Sequence, residues 1–261
     1  MTASAGEVQA ADAADAGHEV PRRPALIPPG LALRLRPSNA GLKIVMAATG
    51  VVFALFVLVH MIGNLKIYTG AEHFDAYAHW LRTLAEPLLP YEGALWLFRA
   101  VLVTALVAHV WAAVVLTARA HRARGPFRRR GLHGLRSFTA RTMGVSGIVL
   151  LAFIAFHILD LTTGTRPAAS PTFTAATHTS SAAYANLVAS FDRPAVAGFY
   201  LLAMVVLGAH LAHGLYTAVN DLGVTGARSR ALLTAAGGLL ALAVMAGNIT
   251  IPIAVMAGWL R

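Results

Sequence analysis

The sequence predicts an all-α integral membrane protein, a bundle of five spanning helices. Three observations carry this: 57% of the 261 residues are hydrophobic and only 12% charged, the mean hydropathy is +0.64, and five apolar stretches approach or exceed the roughly 20 residues that cross a ~30 Å hydrocarbon core. A soluble domain carries about 25% charged residues, and so large an apolar excess cannot be hidden in one water-soluble core. Lipid is therefore the main solvent. The formal charge of +10 would suggest nucleic acid in a soluble protein; here the basic residues read first as topology signals, and no nucleic-acid partner is expected. The chain has no cysteine, which excludes disulfides, thiolate zinc sites, iron–sulfur ligation and covalent haem attachment. A metal must be held by histidine or carboxylate.

Residues 1–40 read as an N-terminal arm, an Ala- and acid-containing tail followed by a Pro/Arg segment with Pro21, Arg22, Arg23, Pro24, Pro28 and Pro29, too poor in apolar periodicity to fold alone. No short apolar core with a small-residue cleavage site precedes Ile44, so the arm is expected to be retained rather than cleaved as a signal peptide. Residues 41–261 form the membrane domain, with spans near 43–64, 93–118, 142–161, 195–219 and 231–260. A Ser/Thr/Pro-containing loop separates spans three and four, and Pro252 is expected to kink span five or mark its outer end. Between spans two and three lie Arg119, Arg122, Arg124, Arg128, Arg129, Arg130, Arg136 and Arg141. Short loops rich in arginine stay in the cytoplasm, which predicts a multi-pass protein of a bacterial cytoplasmic membrane, N-terminus inside and C-terminus outside. Most of these arginines read as a solvated loop; some suit anionic lipid headgroups or an acidic partner.

Four consecutive spans each place one histidine deep in an apolar run: His60, His109, His157 and His210. Intramembrane ionisable residues are expensive and mark function by default. His60 and His157 lie 16 and 15 residues along outward-running helices, counted from Ile44 and Thr142, which puts both near the outer side. His109 and His210 lie 16 and 15 residues along inward-running helices, counted from Gly93 and Ala195, and so sit toward the cytoplasm. Two imidazoles from two helices at one depth are what a bis-histidine b haem requires, whereas zinc wants four clustered ligands. The fold class is thus a five-helix membrane bundle with two b haems between its first four helices. Small residues near the ligands, namely Gly63, Ala105, Ala113 and Gly214, offer bare helix surface for a porphyrin, although they also suit close helix packing. His213 competes with His210 by spacing alone. Arg99 either snorkels outward or pairs with a haem propionate. His18, His73, His79, His121, His133 and His178 fall in loops or the tail.

Several stretches resemble the b558-type cytochrome b family of succinate dehydrogenase anchors, related to the fumarate reductase anchors: ValHisMetIleGlyAsnLeuLys (59–66), HisTrpLeuArgThrLeuAlaGluProLeuLeuPro (79–90), AlaHisValTrpAlaAla (108–113), PheHisIleLeuAspLeuThrThrGlyThr (156–165) and HisLeuAlaHisGlyLeuTyr (210–216). The resemblance implies two haem b groups, an outer one on His60 and His157 and an inner one on His109 and His210. Its His-x-x-x-Gly-x-Tyr pattern fits His210, Gly214 and Tyr216, which favours His210 over His213. Some fumarate reductase relatives carry Glu two residues before this ligand; here that position is Gly208.

The resemblance further implies a flavoprotein subunit that oxidises succinate and an iron–sulfur subunit that delivers electrons, so that FAD and iron–sulfur clusters reside only in partners. This chain is then the non-flavin membrane subunit of a succinate:quinone oxidoreductase, inactive toward succinate alone, in a complex that can form a higher oligomer. Its quinone would be menaquinone, as in the two-haem type. The alternatives are a quinol:fumarate reductase running in reverse and, in a different class, a histidine-lined transporter or proton channel. For a quinone and proton site the sequence offers His79 and Glu86 in the loop after span one, with Tyr77 and Arg82 nearby, and Asp160 three residues beyond His157. An amphipathic stretch through Phe74, Tyr77, Trp80, Leu81 and Leu84 would lie in the interface above the outer haem.

Overall fold

The computed structural model describes residues 37–125 and 135–261, with side chains described from Arg141 onward in the second stretch. The expected arm through Arg36, with Arg22 and Arg23, His18, His133 and Arg128 to Arg130 lie outside the described residues. Among the described residues every regular element is helical, and five helices are long and apolar enough to cross a membrane.

The first helix, α1 (Asn39–Asn64), starts where the Ser38 side chain accepts a 3.0 Å hydrogen bond from the Gly41 amide, satisfying one orphan donor of its first turn. A 3₁₀ turn (Leu65–Thr69) carries it to Gly70, whose φ of 98° only glycine adopts freely. There the chain folds into a short amphipathic helix, α2 (Ala71–Thr83), which buries Phe74 and Ala78 and exposes Trp80. Next comes α3 (Gly93–Arg124), whose last turn holds Arg122 and Arg124, cations that suit the negative end of the helix dipole. The third span is α4 (Leu135–His157), extended by a π turn (Ile158–Thr162). In the loop expected after it the structure has a nine-residue helix, α5 (Ala183–Phe191). The sequence gives this segment neither length nor a cap to announce itself. The last two spans are α6 (Pro194–Asp221), with Pro194 in its first turn, and α7 (Ala227–Met256). Pro252 is buried inside α7 and the helix runs through it, so it does not mark the end of the span.

Helices α1 and α6 form the spine: α3 packs on α1, α4 on α6, and α7 on both. Close approach depends on glycine. A Cβ added at Gly208 would lie 2.8 Å from Met245 Sδ and 3.1 Å from Met245 Cβ, and one at Gly247 would lie 2.5 Å from Met61 Sδ. Small residues let backbones meet in lipid, where packing replaces the hydrophobic effect as the force between helices. A longer side chain at position 208, such as Glu, has no room here. The outward faces are apolar, with Ile44, Leu55, Val59, Leu97, Val107, Ile148 and Leu239 all exposed, as lipid requires.

One end of the bundle is capped. Ile67 and Phe74 pack with Leu187, Phe191, Ala197, Tyr200, Ile251 and Val255 in one buried cluster. Asp75 Oδ1 accepts from the Tyr184 amide (2.8 Å) in the first turn of α5, and the Tyr91 hydroxyl donates to the Thr177 carbonyl (2.6 Å) while its ring faces His178 at 4.0 Å. Trp80, Trp96 and Trp259 are exposed around this same end, where amphipathic rings suit a membrane interface. Gly208→Glu should cost on the order of 1–3 kcal/mol by overpacking the α6–α7 seam; a detergent-solubilised variant melting as the parent does would contradict this account.

Candidate functional site

The bundle brings His60 and His157 into contact. His60 of α1 and His157 of α4 meet edge-on, with ring centroids 5.9 Å apart and planes at 84°. Histidine–metal bonds are about 2 Å, so two imidazoles on opposite sides of one metal have centroids roughly 6 Å apart. Each ring stacks on the phenylalanine one turn before it, Phe56 on His60 (5.3 Å) and Phe153 on His157 (5.7 Å). His109 lies on α3 and His210 on α6.

Hydrogen bonds fix the tautomers of three of the four rings. Thr49 Oγ1 lies 2.9 Å from His109 Nδ1 and donates its own proton to the Val45 carbonyl at 2.7 Å. Its oxygen is therefore left to accept the Nδ1 proton, and Nε2 keeps a free lone pair. Ser146 Oγ does the same for His210, 2.8 Å from Nδ1 while donating to the Met143 carbonyl at 3.0 Å. Tyr200 holds His157 Nδ1 at 3.3 Å and donates to Asp160 Oδ2 at 3.0 Å. A histidine metal ligand needs this arrangement, one nitrogen anchored and the other bare.

Glycines stand beside the inner rings: a Cβ on Gly50 would lie 3.7 Å from His109 Cε1, and one on Gly147 would lie 3.9 Å from His210 Cε1. Among the described residues no three His, Asp or Glu side chains converge to hold a bare metal ion. Paired imidazoles suffice only where a macrocycle supplies the remaining donors, so the residues fit a bis-histidine haem and do not fit zinc.

Thr49, Gly50, Ser146, Gly147 and Tyr200 escape the sequence reading, yet four of them carry a signal. Thr49–Gly50 stands eleven residues before His60, and Ser146–Gly147 eleven before His157, each with a phenylalanine four before the histidine. Eleven residues are three helical turns, about 16 Å, so each of these helices presents a hydroxyl to one level and an imidazole to the other. The four-helix site is a repeat of two helix pairs, α1 with α3 and α4 with α6.

Other expected residues fall as follows. Gly63 offers no bare surface, since a Cβ there would lie 2.5 Å from the Tyr77 hydroxyl; Gly214 is open, with nothing within 4 Å. His213 lies beside Tyr216 at 6.4 Å. Arg99 donates to Glu92 Oε2 at 3.1 Å and covers the Trp96 ring at 4.7 Å, while Arg82 meets the other Glu92 oxygen at 3.3 Å. Glu86 is exposed, and His79 has a buried Nδ1 without a hydrogen-bond partner. Asp160 is 0% exposed and takes Ser190 Oγ (2.5 Å), Arg193 (2.6 Å) and Tyr200 (3.0 Å).

Thr49→Val and Ser146→Ala should each weaken retention of the same cofactor, by about 10- to 100-fold for loss of an anchoring partner. Cofactor content after dilution and repurification measures it, and loss from the His60/His157 level instead would reverse the assignment.

A family model described as succinate dehydrogenase/fumarate reductase transmembrane subunit matches residues 118–247, a stretch that contains His157 and His210. The succinate dehydrogenase cytochrome b558 subunit of Bacillus subtilis (strain 168) is 24% identical over 171 residues, covering 66% of this chain and 73% of the relative. No solved structure matches the chain. Five apolar helices, histidines paired across them and these two likenesses agree: the chain is similar to the membrane subunits of succinate dehydrogenase and fumarate reductase.

Proposed function

We propose that the chain holds two b haems, one between His60 and His157 and one between His109 and His210, and conducts electrons from an iron–sulfur partner to a membrane quinone. The observation that carries this reading is the 5.9 Å edge-on approach of the His60 and His157 rings, at the separation one iron spans. Each haem supplies a one-electron iron couple. The chain's own part is to present a bare Nε2 from each anchored ring, to exclude water with its apolar helices, and to keep the two levels about three turns apart. Succinate oxidation belongs to the flavoprotein and iron–sulfur partners, which dock at the arginine-rich end next to the inner pair. Charge complementarity there governs encounter more than final affinity.

A proton relay would need the imidazoles linked to one another or to a titratable chain. Instead the Nδ1 protons of His109 and His210 end on hydroxyls whose own protons end on backbone carbonyls, which favours ligation over transport. Flux from quinol to fumarate would use the same residues in reverse.

Quinone reduction takes up two electrons and two protons, so its site needs a donor to the carbonyl oxygen and an aqueous proton source. The unpartnered Nδ1 of His79 on α2 supports it as the first, and exposed Glu86 supports it as the second. Arg99, in this reading, steadies a propionate of the outer haem, and menaquinone is the acceptor.

A reduced-minus-oxidised spectrum of the purified complex should show two b haems. His60→Ala and His157→Ala should lose the same one, and His109→Ala and His210→Ala the other; a spectrum without haem bands would exclude the reading. Glu86→Gln should keep both haems and succinate oxidation with a soluble acceptor while slowing quinone reduction about tenfold or more. Unchanged quinone turnover would place the site elsewhere.

A further inference from the structure

The four histidines are not equivalent, and the difference lies behind His157. His109 and His210 are anchored on aliphatic hydroxyls that end on neutral carbonyls. His60 rests against Phe56. Only His157 is backed, through one phenol, by a carboxylate.

We propose that Tyr200, held by Asp160, is a positioning residue that makes His157 the most electron-donating of the four ligands and lowers the potential of the His60/His157 haem. The proposal rests on the haem reading above. Three features support it.

The first is direction. An ionised carboxylate accepts only, so the Tyr200 proton goes to Asp160 Oδ2 (3.0 Å) and the phenol oxygen faces His157 Nδ1 (3.3 Å) as an acceptor. The second is seclusion. Asp160 and Ser190 are 0% exposed and Tyr200 is 5% exposed, so the polarisation passes through a low-dielectric interior where hydrogen-bond chains strengthen one another.

The third is rigidity. Asp160 sits on the π turn directly after His157, Ser190 on α5, Arg193 at the start of α6 and Tyr200 two turns further on. Arg193 also donates to the Ala168 carbonyl at 2.7 Å. These bonds leave the phenol one orientation, fixed further by edge contacts with Phe153 (5.2 Å) and Phe191 (4.8 Å). Arg193 binds Oδ1 at 2.6 Å, while Tyr200 and Ser190 share Oδ2. The guanidinium thus offsets part of the carboxylate charge but stands on its far side. Hydrogen bonds of this kind raise ligand basicity, and a more basic axial ligand stabilises ferric over ferrous iron.

The test is a redox titration of the whole complex, read by absorption and by electron paramagnetic resonance. Tyr200→Phe removes the hydroxyl and keeps the ring. The haem that His60→Ala abolishes should retain its absorption bands in Tyr200→Phe. Its ferric-to-ferrous ratio at a given potential should fall about tenfold, a rise of 59 mV for one electron, and its low-spin signal should move; the other haem should be unaffected. Asp160→Asn should shift the same haem the same way. Two haems with unmoved potentials in both variants would leave the haem reading standing and overturn this one, as would a downward shift or a shift confined to the inner haem. Absence of haem from the unaltered complex would instead defeat the reading on which the proposal rests.

Discussion

An imidazole inside hydrocarbon has two polar nitrogens and no water to satisfy either, and the rest of this bundle follows from how that problem is met. A hydroxyl on a neighbouring helix takes one nitrogen's proton, and only where that hydroxyl's own proton already has an acceptor is the tautomer settled. Thr49 and Ser146 pass theirs to carbonyls in their own helices. Hydroxyl and histidine must then come from different helices at one height, which fixes α1 against α3 and α4 against α6. Glycine next to each hydroxyl clears the space in front of the ring. Helix order, depth and small-residue placement are three expressions of a single hydrogen-bonding requirement.

Much of this was legible in the sequence because lipid imposes long apolar runs, and a histidine inside one is conspicuous. The five spans and the pairing of His60 with His157 follow from counting residues at 1.5 Å per step. What stayed hidden is of another kind. Thr49 and Ser146 are ordinary residues in a membrane helix, and only their matched offset of eleven from His60 and His157 singles them out. Tyr200 stands ten residues before His210, and the matching position before His109 is Arg99, so no repeated pattern singles it out. Gly63 misled, since spacing places a glycine on a face but does not reveal that Tyr77 folds back over it from α2. The helix α5 was invisible because it is short and its first turn is steadied by Asp75, more than a hundred residues earlier.

The two halves of the site share a plan and differ at one place. Three residues after His60 stands Gly63, covered by Tyr77; three after His157 stands Asp160, tied to α5 and α6. The two halves share the hydroxyl–glycine–phenylalanine–histidine spacing and differ in the residue three places past the histidine. A buried carboxylate is costly in such surroundings unless a cation and hydrogen bonds meet it, and Arg193, Ser190 and Tyr200 meet it here.

The cap joins Asp75 to Tyr184 and Tyr91 to Thr177, partners that lie on opposite sides of spans two and three in the chain. Neither tie can form while the ribosome is still making the first half of the membrane domain, nor before the segment after span three has been made. During biogenesis the first two spans must therefore wait in the bilayer with that end unsealed, and closure is deferred until Tyr184 arrives. The cap is thus the last part of the bundle to close, and the buried cluster beneath it is completed only then.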